Sequence, residues 1–205
     1  IRKGEYEGLQ KKLDSPDWKP DFGPAKFQPT MGATATGARN FLIAYNVNLN
    51  TADKSKANLI ASKIRTSGMI VKDENGEIVR DKTGTALRTP GMFEKLQAAG
   101  WMYNESTAQV SMNLLDYSVT GLHDVTETIK LEASKLGLEA VAGELVGLVP
   151  LQAIMDAGNF YTNTNIQDVD TLVGNAIEGL MLDRLESFDP YGNIIEWAIE
   201  RKKNE

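Results

Sequence analysis

The sequence predicts an α+β fold: a ferredoxin-like βαββαβ sandwich with additional C-terminal helices and an inserted hairpin. Three observations carry that prediction. Residues 40–49 and 108–117 alternate apolar and polar side chains with the period of a half-covered strand. Residues 52–67 and 120–136 repeat apolar side chains at helical spacing. After a long initial loop the elements run strand, helix, strand, strand, helix, strand and then helices, which is the split βαβ order.

In chain order, Arg2 to Leu13 reads as a short polar helix stopped by Asp14-Ser15-Pro16. Residues 17–37 read as a loop, because Pro20, Pro24 and Pro29 exclude a long helix and Gly23, Gly32 and Gly37 supply turns. Trp18, Phe22 and Phe27 are expected to pin this loop to the body. In the first strand Phe41, Ile43, Tyr45, Val47 and Leu49 share the core face, and Asn40, Leu42, Ala44, Asn46 and Asn48 share the other. Asn50 or Thr51 is expected to cap the helix over 52–67, and Gly68 to stop it. A hairpin is predicted over 69–81 around Asn75-Gly76. A second core strand lies within 92–103, where LQAA also suits a helix. The third strand, 108–117, turns Gln109, Ser111 and Asn113 away from the core. Thr120 is expected to cap the helix to Leu136, and a fourth strand runs from near Leu138 into GELVGLVP. Helices over 150–160, 169–185 and 194–201 close the chain, and no internal repeat is read.

Composition bounds the function. The 205 residues are 41% hydrophobic and 24% charged, enough apolar material for a sizeable core. A net charge of -6 and a pI near 5.0 argue against a nucleic-acid or anionic-membrane surface. With no cysteine and one histidine, disulfides, thiolate metal sites and multi-histidine metal sites are excluded, and no metal is expected. No apolar run approaches the ~20 residues of a membrane span, so a soluble cytoplasmic protein is expected. The chain opens on Ile1 inside a helix-like stretch. A piece excised from a longer protein is one reading of that start, and a trimmed tag or disordered residues the other.

Candidate site residues follow from the predicted faces. The first and third strands become central neighbours, so Asn46 and Asn48 come alongside Gln109, Ser111 and Asn113 on a face that neither helix covers. Asn is disfavoured in strands, and solvated faces carry Lys, Glu and Thr more often, so a ligand or a second polar domain is expected there. Arg39, between loop and strand, can fork onto a carboxylate or make a surface ion pair. Glu144, inside an apolar run, can accept from a cationic amidine or pterin nitrogen, or cap the helix at Pro150. His123 stands in the first turn of a helix. A catalytic base there needs a partner that the sequence does not name, so a capping or structural role is expected. The GATATG loop feeds a strand and lacks Gly-Lys-Ser/Thr, so it is no phosphate loop.

Three stretches carry a resemblance: IRKGEYEGLQKKL at 1–13, DFGPAKFQPTMGATATGARNFLIAYNVNL at 21–49, and AQVSMNLLDYSVTGLHDV with GELVGLVPLQA further on. Together they resemble the formiminotransferase domain of glutamate formimidoyltransferases and of the bifunctional formimidoyltransferase-cyclodeaminases. The resemblance implies two α/β subdomains whose sheets face each other across a substrate tunnel. It identifies residues 1–37 with the inter-subdomain connector and 38–205 with the C-terminal subdomain. It implies transfer of a formimidoyl group from N-formimidoylglutamate to tetrahydrofolate, the co-substrate, in histidine breakdown. It makes Gly23, Pro24, Ala25, Lys26, Phe27, Gln28, Pro29, Thr30, Met31 and Gly32 a folate-binding segment. Lys26 or Arg39 can then meet folate's carboxylates. The family's catalytic histidine lies in a His-Pro-Arg-Met-Gly-Ala motif of the first subdomain, and that motif does not occur here. The isolated chain is therefore expected to be inactive, with the N-terminal subdomain as its partner and self-association through the open sheet face. The alternative is a non-catalytic module that binds folate or a protein.

Overall fold

The computed structural model describes residues 6–162 and 168–204. The chain divides into two compact units, residues 1–39 and 40–205. In the first, α1 (Leu9–Leu13) is followed by a 3-10 turn at Pro16–Trp18 and then by irregular chain. The start of the helix expected over 2–13 lies outside the described residues. The anchoring expected of three aromatics holds only locally. The Phe27 ring meets Tyr6 at 5.4 Å, and Lys12 lies 4.5 Å over Trp18, both within this unit. Phe22 is 94% exposed and anchors nothing.

The second unit is a mixed α+β domain. Its elements are β1 (Ile43–Leu49), α2 (Lys54–Ile64), the short pair β2 (Met69–Ile70) and β3 (Arg88–Thr89), β4 (Leu96–Met102), β5 (Ala108–Leu114), α3 (Leu122–Ser134), β6 (Ala140–Val146), α4 (Leu151–Tyr161), α5 (Val169–Gly179), α6 (Pro190–Asn193) and α7 (Ile195–Lys203). Four strands form one sheet in the order β4-β5-β1-β6, every neighbour antiparallel. The first and third long strands, β1 and β5, are thus central partners, as the sequence order requires. β1 turns Ile43, Tyr45, Val47 and Leu49 to the core, all fully buried. Against them lie Ala57, Ile60, Ala61 and Ile64 of α2 and Leu122, Val125, Ile129 and Ala133 of α3. At 25 cal/mol per Å², each buried Leu or Ile contributes roughly 1.5–3 kcal/mol. Helix α2 packs on β4 and β5, and α3 on β1 and β6. Burial pushes the Tyr45 phenol well above its ordinary pKa; its hydroxyl meets Thr126 Oγ1 at 2.9 Å and donates to the Leu180 carbonyl at 3.2 Å. Among the described residues no helix is long and apolar enough to cross a membrane.

Several local expectations are corrected. Phe41 is 61% exposed and lies before β1, not on its core face. The α2 cap is Asp53, whose carboxylate accepts from Ser55 N at 2.9 Å, rather than Asn50 or Thr51. Thr120 does not cap α3; its hydroxyl donates to the Glu94 carbonyl, and Asp124 Oδ2 accepts from Gly121 N instead. The third strand stops at Leu114, short of Tyr117, and the helix expected to reach residue 185 ends at Gly179.

The hairpin expected over 69–81 is a longer excursion, because β2 pairs with β3. Between them VKDENGEI (71–78) and VRDKTGTA (79–86) form two near-equivalent turns, a repeat missed in the sequence. In each an aspartate side chain, Asp73 or Asp81, accepts two backbone N–H groups. The backbones of Val71, Val79 and Leu87 close a ring: Val71 N donates to Leu87 O, Val79 N to Val71 O, and Leu87 N to Val79 O.

One buried charge ties the two core helices together. Glu132 of α3, 2% exposed, accepts from Lys63 of α2 at 2.6 Å and from Lys135 at 2.5 Å. Those two donors hold its carboxyl below the ordinary value of 4.5, the Lys135 bond first. A carboxyl with a depressed folded pKa stabilises above its unfolded value, and that stability is lost as pH falls through the folded value. Glu132→Ala is expected to cost about 2 kcal/mol in urea unfolding at neutral pH. The gap to wild type should close below ~pH 4.5, on the acid side of the carboxylate range. A gap that persists unchanged in acid would show that packing, not charge, holds this site.

Candidate functional site

Cross-strand register builds the uncovered face row by row. Residues directly opposite on paired strands point to the same side. One row is Gln97, Asn113, Ala44 and Val146. The next is Ala99, Ser111, Asn46 and Glu144. The third is Trp101, Gln109, Asn48 and Ala142. Each strand's alternate residues make the core, so this face is the one that α2 and α3 leave free.

The middle row holds a fixed carboxylate. Asn46 Nδ2 donates to Glu144 Oε2 at 2.9 Å, across 98 positions of sequence. Glu144 therefore does not cap the helix that follows Pro150. The third row holds orphaned polarity. Asn48 is 1% exposed and Gln109 6%, yet Asn48 Nδ2, Asn48 Oδ1 and Gln109 Oε1 have no hydrogen-bond partner. Buried polar atoms are nearly always paired with protein or ordered water, so these three carry a desolvation cost in the folded chain. At the edge of this row Trp101 is 59% exposed, with Lys54 Nζ 4.8 Å from its ring centroid. The arrangement offers a flat aromatic surface, amides that can donate and accept, and one anchored carboxylate. It suits a polar ligand with a planar part and a cationic part.

The loop of the first unit has its own geometry. Gly23 and Gly32 take left-handed φ angles of 86° and 62°. The Tyr6 hydroxyl donates to the Pro29 carbonyl, and Gly32 N donates to Gln28 O at 2.8 Å. A tight turn over 28–32 results, with Met31 87% exposed at its tip.

Residues 44–200 match the family described as the formiminotransferase domain, and residues 1–39 match the N-terminal subdomain of the formiminotransferase domain. The chain belongs to the formiminotransferase domain family. It is 43% identical over 203 residues to formimidoyltransferase-cyclodeaminase of Rattus norvegicus, covering 97% of this chain and 34% of that protein. The same-named protein of Dictyostelium discoideum is 44% identical over 204 residues, covering 98% and 35%. Glutamate formimidoyltransferase of Streptococcus pyogenes serotype M1 is 36% identical over 171 residues, covering 83% and 49%. The chain thus spans between a third and a half of these relatives' length.

In this formiminotransferase domain the sheet brings six of the sequence-predicted site residues onto one face: Asn46, Asn48, Gln109, Ser111, Asn113 and Glu144. The remaining ones, residues 23–32 and Arg39, belong to the other compact unit. His123 lies elsewhere, on the helix side of the sheet. Its ring stacks on Phe160 at 4.7 Å, and its Nε2 is 3.5 Å from Asp124 Oδ1. Trp101 escaped sequence reasoning. Its strand was poorly bounded, although Leu96, Ala98 and Gly100 alternating with Gln97, Ala99 and Trp101 was the signal that could have found it.

Proposed function

We propose that this chain is the C-terminal, folate-binding half of a glutamate formimidoyltransferase. Such an enzyme transfers a formimidoyl group from N-formimidoyl-L-glutamate to tetrahydrofolate in histidine degradation. The observation that carries the reading is the sheet face that α2 and α3 leave free, with its polar rows and its Glu144 anchored by Asn46. The family membership and the relatives' names support the same reaction. The strand order and the split connection support the ferredoxin-like class. We place residues 1–37 as the connector from an N-terminal subdomain, and 38–205 as the C-terminal subdomain. The polar face then meets that partner half, with folate and formimidoylglutamate between them. The reading carries with it a cytoplasmic homodimer.

The reaction is an exchange at an amidine carbon. N5 of tetrahydrofolate forms a bond to that carbon, giving a tetrahedral intermediate. The bond to the glutamate nitrogen then breaks, and the proton from N5 ends on the departing amine. Glu144 suits the cationic amidine, because a carboxylate beside it favours positive charge at the reacting centre. Asn46 holds that carboxylate in place. Lys26 and Arg39 suit folate's carboxylates. The proton shuttle needs a group that titrates near neutrality, and in this reading the partner half supplies it.

The test is an assay with both substrates together with calorimetry against a reduced folate. The chain alone is expected to bind folate without turnover. Asn46→Ala combined with Asn113→Ala is expected to weaken binding by about tenfold with little loss of stability. Substantial turnover by the chain alone would overturn the placing of the shuttle on another half. Unchanged affinity in the double variant would overturn the sheet face as the site.

A further inference from the structure

We infer that the root of the excursion between β2 and β3 is an anion site, in which Arg65 and Arg88 together hold the phosphate group of a small phosphorylated molecule. The site stands apart from formimidoyl transfer, and nothing in that reading depends on it.

The excursion repeats one pattern three times, and the repeat brings the two arginines together. Gly68, Gly76 and Gly84 stand at equivalent positions, with left-handed φ angles of 60°, 81° and 82°. Lys72, Arg80 and Arg88 each follow one of these glycines by four residues. The backbone ring of Val71, Val79 and Leu87 closes the three units on one another. Each arginine donates from Nη1 to the glycine carbonyl of the next unit round the ring, Arg80 to Gly84 at 2.8 Å and Arg88 to Gly68 at 3.2 Å. Arg88 Nη1 also lies 3.3 Å from the Ser67 carbonyl. At this last junction the carbonyl is shared, because Arg65 Nε donates to Gly68 O at 3.0 Å. Arg65 closes α2, and Arg88 arrives from β3 only after the whole excursion.

Among the described residues neither guanidinium meets a carboxylate; their partners are backbone carbonyls. Burial and the Arg88 charge beside it push the Arg65 guanidinium below its ordinary value. One cation would serve the C-terminal end of α2, so the second is not explained by the helix. The Nη2 groups of both donate to nothing among the described residues, which leaves N–H groups able to fork onto an oxyanion. Arg65 also lines a cavity of about 450 Å³ with Thr66, Ser67, Lys95 and Leu115. The cavity lies at the outer edge of β4, where the sheet has no further strand, and it includes Gln97 alone of the free face's rows. Lys95 already acts on Asp116, so the uncompensated charge belongs to the arginines. A phosphate group brings about −1.5 to −2 charges at neutral pH and three acceptor oxygens. That matches two guanidiniums, whereas a carboxylate neutralises one. The cavity then has room for the body of a phosphate ester.

The experiment uses the whole chain labelled with 15N and four probes at matched ionic strength: inorganic phosphate, ribose 5-phosphate, triglutamate and chloride. Both phosphates are expected to shift the Nε–H signals of Arg65 and Arg88. Ribose 5-phosphate should bind the more tightly, because its sugar occupies the cavity. Arg88→Gln changes an exposed side chain and should weaken ribose 5-phosphate roughly tenfold. Arg88→Lys should restore little of that loss, because an ammonium does not fork. Ribose 5-phosphate should also raise the thermal midpoint of the wild-type chain and leave that of Arg88→Gln where it was. If chloride moves the two signals as far as phosphate does, the pair is ordinary surface charge and the proposal falls. If triglutamate binds through the same arginines more tightly than ribose 5-phosphate, the ligand class is wrong. Unchanged affinity in Arg88→Gln overturns the arginine pair, and equal affinity for the two phosphates overturns the cavity as the seat of the ester.

Discussion

Gly100→Ala is expected to lower the stability of this domain by about 3 kcal/mol, and Gly100→Val to prevent folding. Gly100 sits in β4 where α2 crosses it. A Cβ there would lie 2.3 Å from Asn58 N and 2.6 Å from Asn58 Cα, closer than atoms can approach. Asn58 also reaches down to the strand, its Oδ1 accepting from Gly100 N at 3.3 Å. Helix and strand are thus in backbone contact, and a methyl group inserted between them must lift α2 off β4 and β5. Lifting α2 disturbs the seats of Ile60 and Ile64, both fully buried. Well-packed interiors yield little to such insertions. Urea unfolding measures the loss. Asn58→Ala in the same chain should not rescue it, because two of the three nearest atoms are backbone. A loss below about 1 kcal/mol would mean that the helix shifts freely.

Asn48→Leu is expected to act in the opposite direction, raising stability by about 1–2 kcal/mol. Asn48 is as buried as the core leucines, and neither of its amide atoms has a partner. Leucine has nearly the same shape and no polar atom to desolvate. The midpoint of thermal unfolding should rise by several degrees, as roughly 2–4 °C accompany each kcal/mol in a domain of this size. A fall in stability would show that the amide is satisfied in the folded protein, and that its burial serves the fold instead.

Much of this was legible in the sequence. Strict alternation in residues 43–49 and 108–114 is enough to divide two strands into a core face and a polar face, because the strand period is two. Helical spacing gave Ala57, Ile60, Ala61 and Ile64 as the buried face of α2. The small residues of LQAA hid β4. Gly100 is small because a helix backbone lies against it, which is a tertiary fact that reads locally as ambiguity. Thr120 looked like a cap, but its hydroxyl was better used on the carbonyl of Glu94, 26 residues away. The paired turns at Asp73 and Asp81 fell below notice because eight-residue units are shorter than the repeats usually sought.

Of the candidate site, the sequence by itself determined which residue types face away from the core: amides, a serine and one glutamate on a sheet that its own helices cover on one side only. It also carried the motifs by which the chain is placed in its family. Only the tertiary structure decided which of those residues meet. Register is fixed by hydrogen-bond ladders between strands far apart in the chain. That ladder set Glu144 opposite Asn46, and Trp101 beside Gln109 and Asn48. A face can be read from alternation along one strand, but a row across the sheet exists only once four strands have paired.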